Sequence, residues 1–375
     1  MNFAFSEEQE EFRAHLRRFL EAESPTAEVF RLIETDRGFD PSVWKAMAAS
    51  LGLQGIHIPE RFGGQGFGFL ELCIAFEEMG RALLCAPYFS SVCLAANAIL
   101  NAGSDDDRQR WLPGIASGEC VATLAVLEPN GSWDGAGVHM TFSRDGDTFT
   151  LDGRKALATD GAQADLVIVA AREAGTHDDE GLTLFAVRSD TPGFRATPVD
   201  ALDPTRRLAH LDFESVPAAP LGTVGDAGPA LRRTLDQACV CLAAESVGGA
   251  QRCLDSAVAY ARERVQFGRA IGSFQAIKHK CAEVLLEVES AKATAYFAAW
   301  SAENDSELTL AAALAKSICD DAFRLAAAEN IQIHGGIGFT WEHPAHLYFK
   351  RAKASELFLG DAAFHRERLA ELAGI

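Results

Sequence analysis

Basic charge is scarce in this chain: only 34 Lys and Arg stand against 53 Asp and Glu in 375 residues, giving a formal net charge of −19 and a pI near 4.9. Without a basic stripe there is nothing to grip a phosphate backbone, which excludes nucleic acid and anionic membrane surfaces as main partners. No stretch reaches the ~18 consecutive apolar residues of a membrane span, and the opening MNFAFSEEQEEF has neither a basic start nor a long apolar run. The expected address is the cytoplasm. CxxC pairs are also missing, and most of the nine cysteines sit inside apolar helical patterns, so they are expected as reduced, buried small hydrophobes with no metal or redox duty. Proline is nearly absent from the long periodic segments, and there is no internal repeat or low-complexity tract.

What is present is apolar bulk, 48% of residues, enough for a large core spread over two or three domains. Up to about residue 120 the pattern is helical. Ser6 and Gln9 form a capping box ahead of Phe12, Leu16 and Leu20, and Asp40 with Pro41 opens another helix. The turn-rich IPERFGGQGFG leads into a helix through Leu72, Phe76 and Met79, and a further helix covers Arg108 to Ile115. Between about 120 and 225 the apolar period falls to two, in CVATLAV, HMTFS, DTFTLDG, DLVIVAA, LTLFAV and AHLDF, which predicts an antiparallel β domain. After Gly228 long Ala- and Leu-rich helices return over Ala230 to Arg264, Phe274 to Ala302, Leu308 to Ile333 and from about Asp361, which suits a four-helix bundle. The expected class is therefore α+β, with an N-terminal helical domain at 1–119, a middle β domain at 120–226 and a C-terminal bundle at 227–375. A doubly wound nucleotide fold is excluded, because no strand–glycine loop–helix unit occurs and HGGIGF follows a helix.

Three segments carry a resemblance to a known family. YARERVQFGRAIGSFQAIKHKCAEV, Tyr260 to Val284, has an R-x-x-F-G turn followed by the pair Phe274–Gln275. IQIHGGIGFTWEHPAHLYFKRAK, Ile331 to Lys353, has the form Q-x-x-G-G-x-G-F, and LEPNGSW in the β region is similar to a T-E-P-G-x-G-S loop. Together with the α–β–α order they make the whole chain resemble the acyl-CoA dehydrogenase flavoproteins. The resemblance implies a dimer or tetramer with FAD extended across a subunit boundary, and an acyl-CoA substrate. It also implies an electron-transfer flavoprotein-like acceptor. Arg264 would pair with the pyrophosphate through its fork of donors, and Phe267 would lie against the adenine. Gln266, Gln275 and Gln332 would offer amide contacts beside Phe274, while Gly335 and Gly336 would let backbone approach the nucleotide. Thr159 would face the flavin, and Asp236 and Gly360 would touch substrate. Ala238 and Arg264, 26 positions apart on one predicted helix, are separated by about 39 Å. That distance agrees with what the resemblance implies, an arginine reaching a second subunit's cofactor.

The family's chemistry removes the α proton of an acyl-CoA thioester with a carboxylate while the β carbon gives a hydride to flavin, leaving a trans-2-enoyl-CoA. The α proton is weakly acidic, so the base is indispensable. The resemblance places that base in a Glu-Gly-Thr turn after an R-x-A-K segment; here KRAK is followed by ASELFLGD, which puts Leu359 in the Glu place and Asp361 in the Thr place. A second location used by some relatives falls on Ala238. The nearest acids are Asp361, which reads first as a helix N-cap, Asp236, which is turned about 200° around the helix from Ala238, and Glu245, which reads first as a buried structural hydrogen-bonding group. The flavin platform is thinned as well: Leu127 replaces a Thr, Leu157 a Trp, and Trp133 a small Ser. In this pattern the chain resembles the non-catalytic partner of heteromeric bacterial acyl-CoA dehydrogenases, such as those that oxidise steroid side-chain thioesters. Three readings stay open: a subunit working only with a glutamate-bearing homologue, a self-sufficient homo-oligomer using Asp361 or Glu245, and a non-enzymatic acyl-CoA or FAD scaffold. His343 and His346 stand three apart without a further His/Cys cluster, so they are expected at a surface or interface and no metal site is expected.

Overall fold

In the computed structural model, which describes residues 5–304 and 307–375, Ser6 opens the first helix through the capping box. Its hydroxyl accepts from Gln9 N at 3.2 Å, and the Gln9 side chain takes the Ser6 N–H at 2.9 Å. That helix is α1 (Glu7–Glu23), followed by α2 (Thr26–Ile33) and by α3 (Pro41–Leu51), capped by Asp40 and begun by its proline. α4 (Phe69–Ala82), a π-helical stretch over Phe89–Ala95, α5 (Ala96–Ala102) and α6 (Asp105–Ala116) follow.

Seven strands come next: β1 (Ala122–Ala125), β2 (Phe142–Asp145), β3 (Thr148–Thr159), β4 (Leu166–Arg172), β5 (Leu182–Arg188), β6 (Phe194–Val199) and β7 (Leu208–Leu221). They form one sheet in the order β1-β4-β5-β7-β3-β2, with β6 also on β7. The antiparallel expectation fails at one pair, because β1 runs parallel to β4, so the sheet is mixed. Alternation within a strand says which face is buried but nothing about direction, which is set by the connection. The core beneath the sheet centres on Phe142, Phe149 and Phe185, with ring centroids 5.8, 5.1 and 5.6 Å apart in tilted and edge-on pairs. Rings of this size are each worth about 1.5–3 kcal/mol in burial.

The C-terminal part comprises α7 (Gly228–Glu263), a hairpin of β8 (Val265–Gln266) and β9 (Arg269–Ala270), then α8 (Gln275–Asn304), α9 (Leu308–His334), α10 (Ala345–Leu357) and α11 (Ala362–Ala373). The expected four helices are thus five. α10 escapes an apolar-period reading because Arg351, a charged residue, occupies its buried face at 2% exposure.

The described residues gather into two compact units, one of 5–31, 69–84, 239–304 and 307–375 and one of 32–68 and 85–238. In the first, α4 crosses α7 with backbones almost touching. A Cβ added at Gly80 would lie 2.0 Å from Glu245 O, and one at Gly248 would lie 1.8 Å from Glu77 O. Only glycine permits that approach. No described helix is long and apolar enough to cross a membrane, and all nine cysteines are free thiols.

Candidate functional site

In the helical unit, α7 stops at Glu263 and the chain turns back through the β8–β9 hairpin, with Val265 opposite Ala270 and Gln266 opposite Arg269. The two turn residues, Phe267 and Gly268, have φ of 53° and 76°, as a tight two-residue hairpin requires. Holding a Phe in the left-handed region costs about 1–2 kcal/mol, and in return the ring makes an edge-on contact with Phe274, centroids 6.2 Å apart, while Phe267 stays 92% exposed. Phe274 is also covered by Arg269, whose guanidinium lies 4.0 Å from its ring centre. Ala257 and Ala261 at the end of α7 pack on Ile333 near the end of α9, joined by Tyr260, Ile271, Ile277 and Cys281. This cluster brings the two sequence-distant segments to one end of the unit. Arg264, Gln266, Gln275, Gln332, Gly335 and Gly336 are all exposed there. Gln266 bonds only its own strand, at Val265 O, and the Arg264 side chain has no partner among the described residues. Gly335 has φ 63°, and a Cβ at either glycine would meet nothing within 4 Å. An open guanidinium, a bare aromatic face and uncovered glycine backbone fit the nucleotide end of a flavin.

At the other candidate position, Leu359 is 3% exposed and left-handed at φ 61°, followed by Gly360 at φ 97°. Both carbonyls of this turn are held. His365 Nε2 donates to Leu359 O at 3.0 Å, and Lys316 Nζ donates to Gly360 O at 3.1 Å. Lys316 spends its other two N–H groups on Ser355 O at 2.9 Å, in the last turn of α10, and on the Asp320 carboxylate. Asp320 also accepts from Ser246 at 3.1 Å. Burial pushes the Asp320 carboxyl up to about 6, against the pull of Lys316, and pushes the His365 imidazole down to about 4, which keeps it neutral. The two acids weighed as stand-in bases are engaged elsewhere. Glu245, 5% exposed, pairs with Arg351 Nη1 at 2.6 Å, and Asp361 caps α11 by accepting from Phe364 N at 2.8 Å.

In the β unit, Thr159 ends β3 at 1% exposure, and its hydroxyl has no partner among the described residues. An orphaned buried hydroxyl costs about 1–3 kcal/mol, so the position fits an external hydrogen-bonding group. Leu157 is left-handed at φ 49°, inside the register shift between Lys155 and Ala158. The LEPNGSW loop is pinned by Glu128, which takes the N–H groups of His139 and Met140 at 3.1 and 3.0 Å and the Lys155 ammonium at 2.6 Å. Lys155 is fully buried, and burial lowers it to about 8 in spite of Glu128. Asp236 on α7 is buried at 2% and partnered; beside it, Asn101 bridges Thr234 and Gln237 at 3.0 and 2.8 Å.

Reading the sequence alone missed Lys316, Asp320, Arg351, Lys155 and His365. A signal existed for the first two: a Lys and an Asp four apart inside the apolar run AAALAKSICDDAF must share one buried helix face. His343 and His346 form no metal cluster with other described residues; His343 lies 4.4 Å from the His334 ring and His346 bonds Trp341 O at 3.0 Å.

Comparison with known proteins adds the family. Residues 6–119, 123–216 and 228–373 match the N-terminal, middle and C-terminal domains of acyl-CoA dehydrogenase. The acyl-CoA dehydrogenase IpdE2 of Mycolicibacterium smegmatis is 35% identical over 367 residues, 98% of each chain. Among solved structures, butyryl-CoA dehydrogenase from Megasphaera elsdenii superposes with a TM-score of 0.93 at 27% identity over all of both chains. The ChsE4-ChsE5 complex of Mycobacterium tuberculosis supplies another, with a TM-score of 0.90 at 26% identity, again over both full chains. Covered in order by all three domains of one family of FAD-dependent oxidoreductases, and matched end to end by a relative bearing its name, the chain belongs to the acyl-CoA dehydrogenase family.

Proposed function

We propose that this chain is the base-deficient subunit of a heteromeric acyl-CoA dehydrogenase, giving adenine-side contacts to an FAD whose reactive ring is housed by a glutamate-bearing homologue. The observation that carries the reading is the turn at 359–360. It keeps its left-handed backbone and both carbonyl anchors while residue 359 is a buried leucine. With Glu245 tied to Arg351 and Asp361 spent on a helix cap, neither nearby acid is free to take an α proton. The likeness to one half of a two-component complex, ChsE4-ChsE5, supports a divided assembly.

In this reading Arg264 neutralises pyrophosphate charge, Phe267 offers its exposed face to the adenine, and Gln266, Gln275 and Gln332 orient the nucleotide by amide hydrogen bonds. Gly335 and Gly336 leave backbone N–H groups approachable. FAD, when bound, supplies the acceptor for the substrate's β hydride. The partner contributes the carboxylate, and reoxidation falls to an electron-transfer flavoprotein-like acceptor.

A second reading, a self-sufficient homo-oligomer, is favoured by one observation: the orphaned Thr159 hydroxyl fits a flavin ring in this chain's own β unit. Purified alone and again after co-expression with a glutamate-bearing homologue, the protein should hold FAD and reduce an artificial dye with acyl-CoA only in the second case. Dye reduction by the chain alone would overturn the heteromeric reading. Acyl-CoA binding without flavin or turnover in any combination would leave a scaffold.

A further inference from the structure

We propose that Lys316 is the positioning residue of the 359–360 turn, and that it preserves there a working seat for an α-proton base although the base itself is gone. The ammonium is fully buried and saturated: one N–H goes to Asp320, one to Ser355 O and one to Gly360 O, so a single cation joins α9 to both sides of the turn. Asp320 is in turn held by Ser246 of α7, whose neighbour Glu245 is locked to Arg351 of α10. His365 of α11 fixes the remaining carbonyl, Leu359 O. Two helices, α9 and α11, thus hold the two peptide units directly, and α7 and α10 hold Lys316 in place through Asp320 and Ser355 O. A plain connection between α10 and α11 needs no such restraint, since a leucine in the left-handed region returns to ordinary backbone once released. Restraint of this degree is what a catalytic group requires, because a displacement of about 1 Å costs about 100-fold in rate. Burial would also serve a carboxylate placed there, raising its pKa toward neutrality where a general base is most effective.

Leu359→Glu should therefore perform half of the family's reaction. The introduced carboxylate takes a proton from the α carbon, the C–H electron pair moves into the thioester carbonyl as an enolate, and a solvent-derived deuteron returns from the carboxyl to carbon. Nothing is oxidised, so the step needs no electron acceptor, and failure here is distinguishable from failure of the heteromeric reading. In D2O the variant is incubated with butanoyl-CoA and with a steroid side-chain CoA thioester, uptake of deuterium is followed by mass spectrometry, and binding by calorimetry. Wild type should exchange no faster than buffer. Leu359→Glu should exchange at least one thioester, with a rate that rises with pH as the carboxylate ionises. Adding Lys316→Met should cut that rate by about 100-fold while acyl-CoA affinity stays within a factor of about three, a separation that general destabilisation does not produce. Should Lys316→Met fail to fold, Lys316→Met with Asp320→Leu removes both buried charges together. Absence of exchange or of thioester binding in Leu359→Glu overturns the proposal, as does equal exchange with and without Lys316.

Discussion

Removing the Glu245 carboxylate separates a structural from a chemical role for the best-placed acid in the helical unit. Glu245→Ala strands Arg351, a guanidinium only 2% exposed, without its 2.6 Å partner. Breaking one side of a buried pair costs about 3–5 kcal/mol, because the remaining charge stays desolvated and has lost its carboxylate. The loss should appear as a lower urea midpoint followed by far-ultraviolet circular dichroism, at unchanged slope. Glu245→Leu with Arg351→Met replaces both charges by apolar groups of similar size and should recover most of the stability, to within about 1–2 kcal/mol of wild type. Turnover of the co-expressed complex, expressed per folded subunit, should survive the double substitution. A Glu245→Ala protein with a wild-type urea midpoint but no turnover would refute this reasoning and make Glu245 the base.

Arg264→Ala alters an exposed side chain, so the unfolding midpoint should move by less than about 0.5 kcal/mol, while FAD affinity, titrated by fluorescence on the complex, should fall roughly 10- to 150-fold for the loss of a charge-assisted contact; undiminished retention of FAD would count against the nucleotide-end assignment. Asp361→Ala should cost about 1 kcal/mol by uncapping α11 and leave turnover of the complex intact; abolished turnover with the cap loss alone would instead mark Asp361 as the base. His365 is held at about 4, below the ordinary 6.5, so the folded state binds fewer protons than the unfolded one between those values. Its contribution is complete above about 6.5 and is lost as pH falls toward 4, up to ~3 kcal/mol. His365→Gln should flatten stability against pH in that window, and an unchanged slope in pH-dependent urea titrations would contradict the assignment. Gly248→Ala puts a Cβ 1.8 Å from Glu77 O, so α4 and α7 must part; a cost of about 1–3 kcal/mol or more is expected in thermal unfolding, and no change would mean the helices are not in backbone contact.

Much of this was legible in the chain because it is local. The Ser6–Gln9 box, Asp40 before Pro41 and Asp361 ahead of α11 each act over three or four residues, and the structure uses them as caps. Periods of 3.6 and 2 named the helical and strand regions, and the ordered motifs around Arg264, Gln332 and Leu359 named the family. Long-range relations left no such trace. The parallel pairing of β1 with β4 depends on how intervening strands are threaded, which alternation within either strand does not encode. α10 was hidden because Arg351 sits where a periodic reading expects a hydrophobe, and pairing with Glu245, 106 positions earlier, helps make that burial tolerable.

The sequence by itself determined what residue 359 is: a leucine carries no carboxylate whatever surrounds it, so that this side chain takes up no proton needed no coordinates. Only the tertiary structure decided that the turn around it remains held. Ser246 of α7, the Lys316–Asp320 pair of α9 and His365 of α11 come from separate stretches of the chain, and hydrogen bonds between such stretches exist only once packing has excluded water and set them within 3 Å or so of one another.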